Sequence, residues 1–463
     1  MKEDKLLKAE LHAALDGPEL RATLGRLYGA DAVDTQLARY CNAVARFEEL
    51  FGCGAEDAAC DGSTLIDGAR LFRAPGRIEI GGNHTDHQHG QVLAAAIDLD
   101  AIGVAAASGD DQIRIYSEGF GWIEVELTGA GGDAANDTTG SNAFAPGTPE
   151  ALVYGVAAEL QKHGYEIGGF RAYVTSNVPE GAGLSSSAAF EILVGVILSG
   201  ICNDGTVSRE ELAQIAQTAE NCYYGKPCGL MDQMAIAMGG ICHIDFSNPA
   251  APDVEKLDVD FPEMGYSICI TDTHGSHAEH TDDYASVQTD LQKAASVFGK
   301  EVLEGITRAD VIERIVRIRE AGGDRAFLRA MHVAAENERV RGEAKALKRK
   351  DMRAFLFLVR RSGDSSYKLL QNVYAESTPG KQELAVALSI SEAVLINNHR
   401  GGSVMEAAAK SACRVHGGGF AGTIEAFVPE EEAEDYRGAM DEVFGEGSCF
   451  EVRICPEGGM EVC

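Results

Sequence analysis

Positive charge is scarce in this chain: 40 lysines and arginines stand against 72 aspartates and glutamates over 463 residues, a formal net charge of −32. Nucleic acid and anionic membrane surfaces would be repelled, so neither is expected as a partner. Long apolar runs are also missing. No uninterrupted stretch of about 18 apolar residues occurs, the length a membrane span needs, and the opening Met1-Lys-Glu-Asp-Lys-Leu-Leu7 carries charge where a signal peptide is apolar. The expected location is cytoplasmic. The 12 cysteines form no Cys-x-x-Cys pair, which suits reduced core thiols better than a disulfide framework or a zinc ribbon. A Gly-Lys-Ser/Thr ending is absent from every glycine-rich turn, so there is no Walker loop. The length exceeds one ordinary core, and a break in composition near 247–262 suggests two domains, 1–260 and 261–463.

What is present centres on Pro179-Glu-Gly-Ala-Gly-Leu-Ser-Ser-Ser-Ala-Ala189. Residues 170–178 alternate like a strand, and residues 188–198 are apolar on every side, like a buried helix. Gly181 and Gly183 allow close backbone approach. Ser185, Ser186 and Ser187 place hydroxyls and free N–H groups at a helix N-terminus, where an anion is stabilised. This reads as a phosphate loop, with an ordinary capped turn as the alternative.

A second dense segment is Arg73-Ala-Pro-Gly-Arg-Ile-Glu-Ile-Gly-Gly-Asn-His-Thr-Asp-His-Gln-His-Gly90. Two turns, at Pro75-Gly76 and Gly81-Gly82, flank a short strand and crowd Arg77, Asn83, His84 and Asp86 together, as polar site residues on loops usually are. The histidines at 84, 87 and 89, and those at 274, 277 and 280, invite a metal reading. They lack the helical His-Glu-x-x-His pattern, so a polyol site or the surface suits them better.

Ser208-Arg-Glu-Glu211 opens a helix as a capping box, and Glu220 falls in its last turn, where the helix dipole disfavours a carboxylate. A divalent cation beside phosphates would reverse that penalty; a misplaced surface acid is the alternative. Asp232 sits among Leu230, Met231, Met234 and Ile236, and a buried carboxylate needs a cation, for which Arg77 is the candidate. The pair is either structural or part of an active site. In the second half, residues 336–350 alternate charges and read as a solvated face. Gly417 to Gly419 precede an apolar strand, as a bulged hairpin or a close approach to phosphate would.

Taken together, these motifs resemble those of the GHMP kinases, and of the galactokinases in particular. Ala74-Pro-Gly-Arg77 leads to Gly82-Asn-His-Thr-Asp-His87; Gly181 to Ala188 reads Gly-x-Gly-Leu-Ser-Ser-Ser-Ala; Ala219-Glu220 precedes Pro227-Cys-Gly-Leu-Met-Asp-Gln233; and Gly417-Gly-Gly-Phe-Ala-Gly422 closes the series. The likeness runs from about Arg39 to the C-terminus. It implies an α+β fold with an N-terminal domain like ribosomal protein S5, a C-terminal ferredoxin-like domain, and a cleft site between them. It further implies ATP, magnesium (Mg2+) and a small sugar as ligands, and a monomer or weak homo-oligomer. By matched position, Asp232 would be the base for the anomeric hydroxyl and Arg77 its cation. Gly181, Ala182, Gly183, Leu184, Ser185, Ser186 and Ser187 would cradle ATP, with Ser187 and Glu220 on the metal. Asn83, His84, Thr85, Asp86, Gly229 and Tyr284 would line the sugar pocket.

The departures bear on the sugar. Asn83 replaces the family's glutamate at the position expected to meet the C6 hydroxyl, and His87 replaces tyrosine. Loss of that carboxylate removes repulsion against a C6 carboxylate, so galacturonate is an alternative substrate, as is N-acetylgalactosamine. The Tyr284 segment lacks the family's Asn-x-Arg-Arg, the Ser-His-x-Ser motif is reduced to Ser362-Gly-Asp-Ser-Ser366, and Ala421 interrupts the last glycine motif. Some relatives are sensors that bind ATP and galactose without catalysis. Their serine loop is damaged, whereas Ser185 to Ala189 is whole here.

Overall fold

The computed structural model describes residues 11–13, 15, 17–52, 68–127, 144–275, 280–397 and 409–463. The turn-rich stretch 53–62, most of the loop at 128–148 and His277 lie outside them.

Leucines and aromatics at helical spacing build α1 (Pro18–Tyr28) and α2 (Val33–Phe51), which bury Leu20, Leu24, Leu27, Val44 and Phe47. The chain then enters two long strands, β1 (Arg70–Gly81) and β2 (Gln91–Ala107), followed by β3 (Gln112–Ser117) and β4 (Gly121–Glu126). Next come α3 (Pro149–Lys162), capped by the Thr148 hydroxyl, β5 (Phe170–Ser176), α4 (Ser186–Asn203), α5 (Arg209–Thr218) and α6 (Met231–Met238). β6 (Ile241–Asp245) and β7 (Asp253–Leu257) complete this half.

With β12 (Met460–Glu461) at one edge, the eight-stranded sheet runs β12-β1-β2-β5-β3-β4, with β6 joined to β2 and β7 to β6; β3 and β5 are parallel, and the other pairs antiparallel. β2 is rich in alanine, and a Cβ at its Gly103 would sit 3.4–3.6 Å from Leu193 and Ile197 of α4, so small residues there let the helix lie against the sheet. α4 is long and apolar enough to cross a membrane, with a mean hydropathy of 1.6, yet 67% of it is buried inside the protein. Its apolar surface is core.

The second sheet holds β8 (Tyr266–Asp272), β9 (Ala412–Val415), β10 (Thr423–Pro429) and β11 (Cys449–Val452) in the antiparallel order β11-β8-β10-β9. That is the 4-1-3-2 order of a β-α-β-β-α-β unit. The first crossover carries α7 (Thr281–Ser296), α8 (Arg308–Glu313), α9 (Ile315–Lys348), α10 (Met352–Ser365) and α11 (Glu383–Asn397). The second carries α12 (Ala433–Phe444). The tail then crosses the boundary expected at 260/261: Ile454 bridges to Ile97, and β12 (Met460–Glu461) pairs with β1.

The solvated face expected at 336–350 holds for Glu338, Arg341, Lys345 and Lys348, which are exposed, and is corrected for the opposite side of the helix. Glu336 and Glu343 are fully buried, and Arg339 lies on the same helical stripe. Glu336 accepts bonds from Gly82 N (3.2 Å), Ser362 Oγ (2.5 Å) and Arg339 Nε (2.6 Å). Charge alternation is the same whichever stripe of a helix faces inward, and here Glu336 on the inward stripe finds buried partners, while the Glu343 oxygens accept no hydrogen bond from the described residues.

Candidate active site

The loop after β5 turns through Gly181 (φ 73°) and Gly183 (φ 71°), then through Ser185 at φ 62°, the residue before α4. No side-chain oxygen caps this helix. The Ser185 hydroxyl instead donates to the Asp232 carboxylate, so the first-turn N–H groups of α4 keep their capacity for an anion. The loop's carbonyls anchor it. Leu184 O accepts from Arg77 N (3.1 Å), Gly183 O from the Arg77 guanidinium, and Ala182 O from Thr423 Oγ1 (2.9 Å). The Ala182 and Leu184 side chains are buried. Gly181, Ser185, Ser186 and Ser187 line a cavity of about 480 Å³ shared with Arg77 and Asp232. A neighbouring cavity of about 400 Å³ extends from Ser186 and Ser187 to the apolar walls Phe120, Leu152, Val174 and Phe190.

Arg77 and Asp232, separated by 155 residues, form a bidentate pair: Nε to Oδ1 and Nη2 to Oδ2, both at 2.7 Å. With Ser185 also on Oδ2, three of the carboxylate's roughly four acceptor positions are filled, leaving the free one on Oδ1. Burial would push Asp232 up, but the charge and hydrogen bonds of Arg77, then Ser185, outweigh it and hold the carboxyl below its usual range. Its side chain is 32% exposed.

Glu220 is no surface acid. It is buried in the π-helical segment Ala219–Tyr224, where Lys226 Nζ (2.8 Å) and Gln233 Nε2 (2.8 Å) bind its two oxygens. Gln233 Nε2 also reaches Glu191 (3.0 Å). Burial, then the Glu220 charge, pushes Glu191 well up, and its Oε1 has no hydrogen-bond partner among the described residues. Ser187, Glu191 and Glu220 line one cavity. Two carboxyls and a hydroxyl form the hard-oxygen donor set that suits magnesium, and a cation there would relieve the Glu191–Glu220 repulsion.

A smaller cavity of about 130 Å³ also reaches Asp232, walled by Arg77, Glu79, His84, Asp86, Tyr284 and Gly418. Gly229 also lines it, and a side chain there would collide with the Asp86 carboxylate. His84, at φ 58°, connects Nδ1 to His87 Nε2 (3.1 Å) and Nε2 to Gly418 O (2.9 Å), with the Tyr284 ring 5.1 Å away. Burial, then the neighbouring His87, pushes His84 well down, which disfavours its charged form.

Two residues expected in this wall stand behind it. Thr85 is fully buried, its hydroxyl turned to the carbonyls of Gly82 (2.7 Å) and Gln91 (2.6 Å). Asn83 is also fully buried: its amide nitrogen donates to Glu79 Oε1 (2.9 Å) and Gly417 O, its Oδ1 accepts from Asn372 Nδ2 (2.7 Å), and its carbonyl meets His332 Nε2 (2.9 Å). Gly82, at φ 100°, lies in the turn just before them, and neither side chain lines the cavity.

Glu79 and Lys226 line the cavity without having been singled out in the sequence. A signal existed for Glu79, since a strand puts residues i and i+2 on one face, beside Arg77. Burial pushes Glu79 up to about 7, against the opposing pull of Arg414 and Asn83. Lys226 lies in a loop without periodicity, and only its position next to Pro227 pointed to it.

The sequence profile described as "GHMP kinases N terminal domain" matches residues 151–240, and the "Galactokinase galactose-binding signature" matches residues 63–107. Galactokinase of Glaesserella parasuis is 31% identical over 366 residues, covering 79% of this chain and 86% of that protein. Galactokinase of Homo sapiens is 28% identical over 397 residues, covering 84% and 91%. The crystal structure of Lactococcus lactis galactokinase complexed with galactose aligns with a TM-score of 0.73 at 24% identity, over 92% of this chain and 100% of that one. A mevalonate kinase aligns at 0.53 and 15% identity, over 84% and 99%. Two profile matches, an identity above 30% over most of both chains, and a shared two-sheet fold agree: the chain belongs to the galactokinase family of the GHMP kinases.

Proposed function

We propose that this protein transfers the γ-phosphoryl group of ATP to the anomeric hydroxyl of galactose, giving galactose 1-phosphate. The observation that carries this reading is the place of Asp232. An ionised carboxylate with one free acceptor position stands where a cavity walled by the serine loop meets a smaller polar cavity.

The chemistry asks little covalent work of the protein. Phosphoryl transfer depends on positioning and on stabilising charge that develops on the transferring group. The uncapped N-terminus of α4 and the hydroxyls of Ser186 and Ser187 receive the phosphates, and the apolar walls around Phe120 and Phe190 suit the base of the nucleotide. Asp232 Oδ1 accepts the hydrogen of the sugar hydroxyl and aligns its oxygen. Because Arg77 keeps Asp232 a weak base, the proton moves as the new P–O bond forms, and the carboxylate acts before that mainly through orientation and charge. Arg77 remains beside the transferring group as a cation. Ser187 and Glu220 would hold the magnesium ion, which supplies charge neutralisation at the phosphate oxygens. His84, Asp86 and Tyr284 shape the sugar pocket. A cytoplasmic location and a monomeric or weakly associated state belong to the same reading.

The test is ADP release with ATP and magnesium across galactose, galacturonate, N-acetylgalactosamine, arabinose and glucose. Galactose is expected to give the highest kcat/KM, with phosphorus NMR placing the phosphate on C1. Binding of sugar and nucleotide with no ADP release from any sugar would reject the enzyme in favour of a sensor.

A further inference from the structure

Position 83 carries an amide where the family resemblance implies a carboxylate, yet the pocket does not lack one. Glu79 is 2% exposed and lines the smaller cavity. Its two side-chain donors both sit on one oxygen: Asn83 Nδ2 at 2.9 Å and Arg414 Nη2 at 2.6 Å from Oε1. Oε2 has no hydrogen-bond donor among the described residues. Arg414, in β9, is itself fixed by the carbonyls of Val415 (3.0 Å) and Ile80 (3.0 Å). The backbone N–H of Glu79 is held by His416 Nε2 (3.0 Å). The carboxyl therefore has a fixed orientation, one oxygen saturated and the other left to whatever fills the cavity. Oε2 is open to the cavity rather than sealed in the core, so a ligand hydroxyl can replace water as its donor.

The amide at 83 fits the same arrangement. Its nitrogen donates to two acceptors, Glu79 Oε1 and Gly417 O. A carboxylate at 83 could donate to neither and would repel Glu79. Asn83 thus acts on the pocket through Glu79, as a positioning residue.

Resting on the sugar-kinase reading above, we propose that Glu79 is the residue that reads the sugar: Oε2 accepts one non-anomeric hydroxyl of a neutral hexose, and the carboxylate rejects a uronic acid.

The experiment compares wild-type protein with Glu79→Gln at pH 8, above the value of about 7 to which burial pushes Glu79, on galactose, galacturonate and the 2-, 3-, 4- and 6-deoxygalactoses. In the variant the amide oxygen suits Arg414 and Asn83, so an NH2 group faces the cavity where an acceptor stood. The wild type is expected to lose roughly 10- to 100-fold in kcat/KM on one deoxy sugar, as for a hydrogen bond to a charged group, and to use galacturonate at least about 100-fold worse than galactose. The variant is expected to lose a similar factor on galactose, mostly in KM, to show no further penalty on that deoxy sugar, and to narrow the gap to galacturonate. An unchanged affinity for a non-hydrolysable ATP analogue shows that it is folded. Equal deoxy-sugar penalties in both proteins would overturn the proposal. So would wild-type turnover of galacturonate matching that of galactose, a result that needs no variant. Wild-type protein inert on every sugar would reject the kinase reading instead.

Discussion

Arg73 and Arg77 lie four residues apart on β1, and each grips an aspartate. Arg73 Nε meets Asp100 Oδ2 at 2.6 Å, and Arg77 meets Asp232 at 2.7 Å through two nitrogens. Each carboxylate accepts three side-chain hydrogen bonds. Asp100 takes Arg73, Arg39 (2.6 Å) and the Tyr28 hydroxyl, while Asp232 takes Arg77 twice and Ser185. In both, burial pushes the carboxyl up and arginine more than offsets it, leaving the value lowered. Hydrogen-bond counting therefore does not separate a structural pair from a functional one. Access does: the Asp100 side chain is 0% exposed between two arginines, whereas Asp232 is 32% exposed between two cavities with one arginine. The Asp100 cluster also explains the N-terminal helices, because Tyr28 and Arg39 tie α1 and α2 to the first sheet.

The largest effect is expected at the open pair. Asp232→Ala should lower kcat by roughly 10³- to 10⁴-fold, the upper range for removing an acid–base group in a site that also loses orientation. The thermal unfolding midpoint should fall less than for the closed pair, since Arg77, though only 6% exposed, lines both cavities and water can enter the space vacated by Asp232. Near-normal turnover would remove the distinction between the two aspartates.

The closed pair should behave in the opposite way. Asp100→Ala leaves Arg73 buried without its counter-charge, a change that costs about 3–5 kcal/mol. Urea unfolding should show this as a lower midpoint, while KM for ATP and sugar in the folded protein stays near wild type. A lost KM with unchanged stability would mean that the cluster supports the site directly and that access is the wrong criterion.

The same contrast shows what the sequence could reveal. Asp232 was legible because a carboxylate among Leu230, Met231, Met234 and Ile236 demands a partner, and the serine loop and Pro-Gly-Arg segment were legible because glycine and serine at those spacings serve few purposes. Leu20, Leu24, Leu27 and Tyr28, then Ala43, Val44, Phe47, Leu50 and Phe51, stand at helical spacing, so α1 and α2 were legible from period alone. Glu79 left only the strand period, two residues from Arg77, and the place of Asn83 behind the cavity wall was not legible, because motif position fixes where a backbone goes and not which way the side chain after a turn points. Glu336 and Glu343 escaped for a related reason: Arg414, which pairs with Glu79 and lies near Glu336 and Glu343, comes from a strand some 70 to 80 residues further on. Partners separated that far leave no local pattern. The tail's return to β1 was hidden likewise, since β12 is two residues long and offers no alternation to read.

The smallest predicted effect probes the hydroxyl that separates the two roles of the serine loop. Ser185 sits at φ 62°, donates to Asp232 and does not cap α4. Ser185→Ala should therefore act on the carboxylate and leave the phosphates alone, lowering kcat by about 10-fold, the scale of one hydrogen bond to a charged acceptor. The pH profile carries the sign. Asp232 lies below its unfolded value, so its ionised form, and the stability it contributes, persists above that value and is lost as pH falls through the lowered one. Removing a donor to the charged form raises the lowered value, so the acidic limb of kcat/KM should move to higher pH while KM for ATP stays constant. If KM for ATP rises and the acidic limb stays in place, the Ser185 hydroxyl serves the nucleotide, and Asp232 would rest on Arg77 alone.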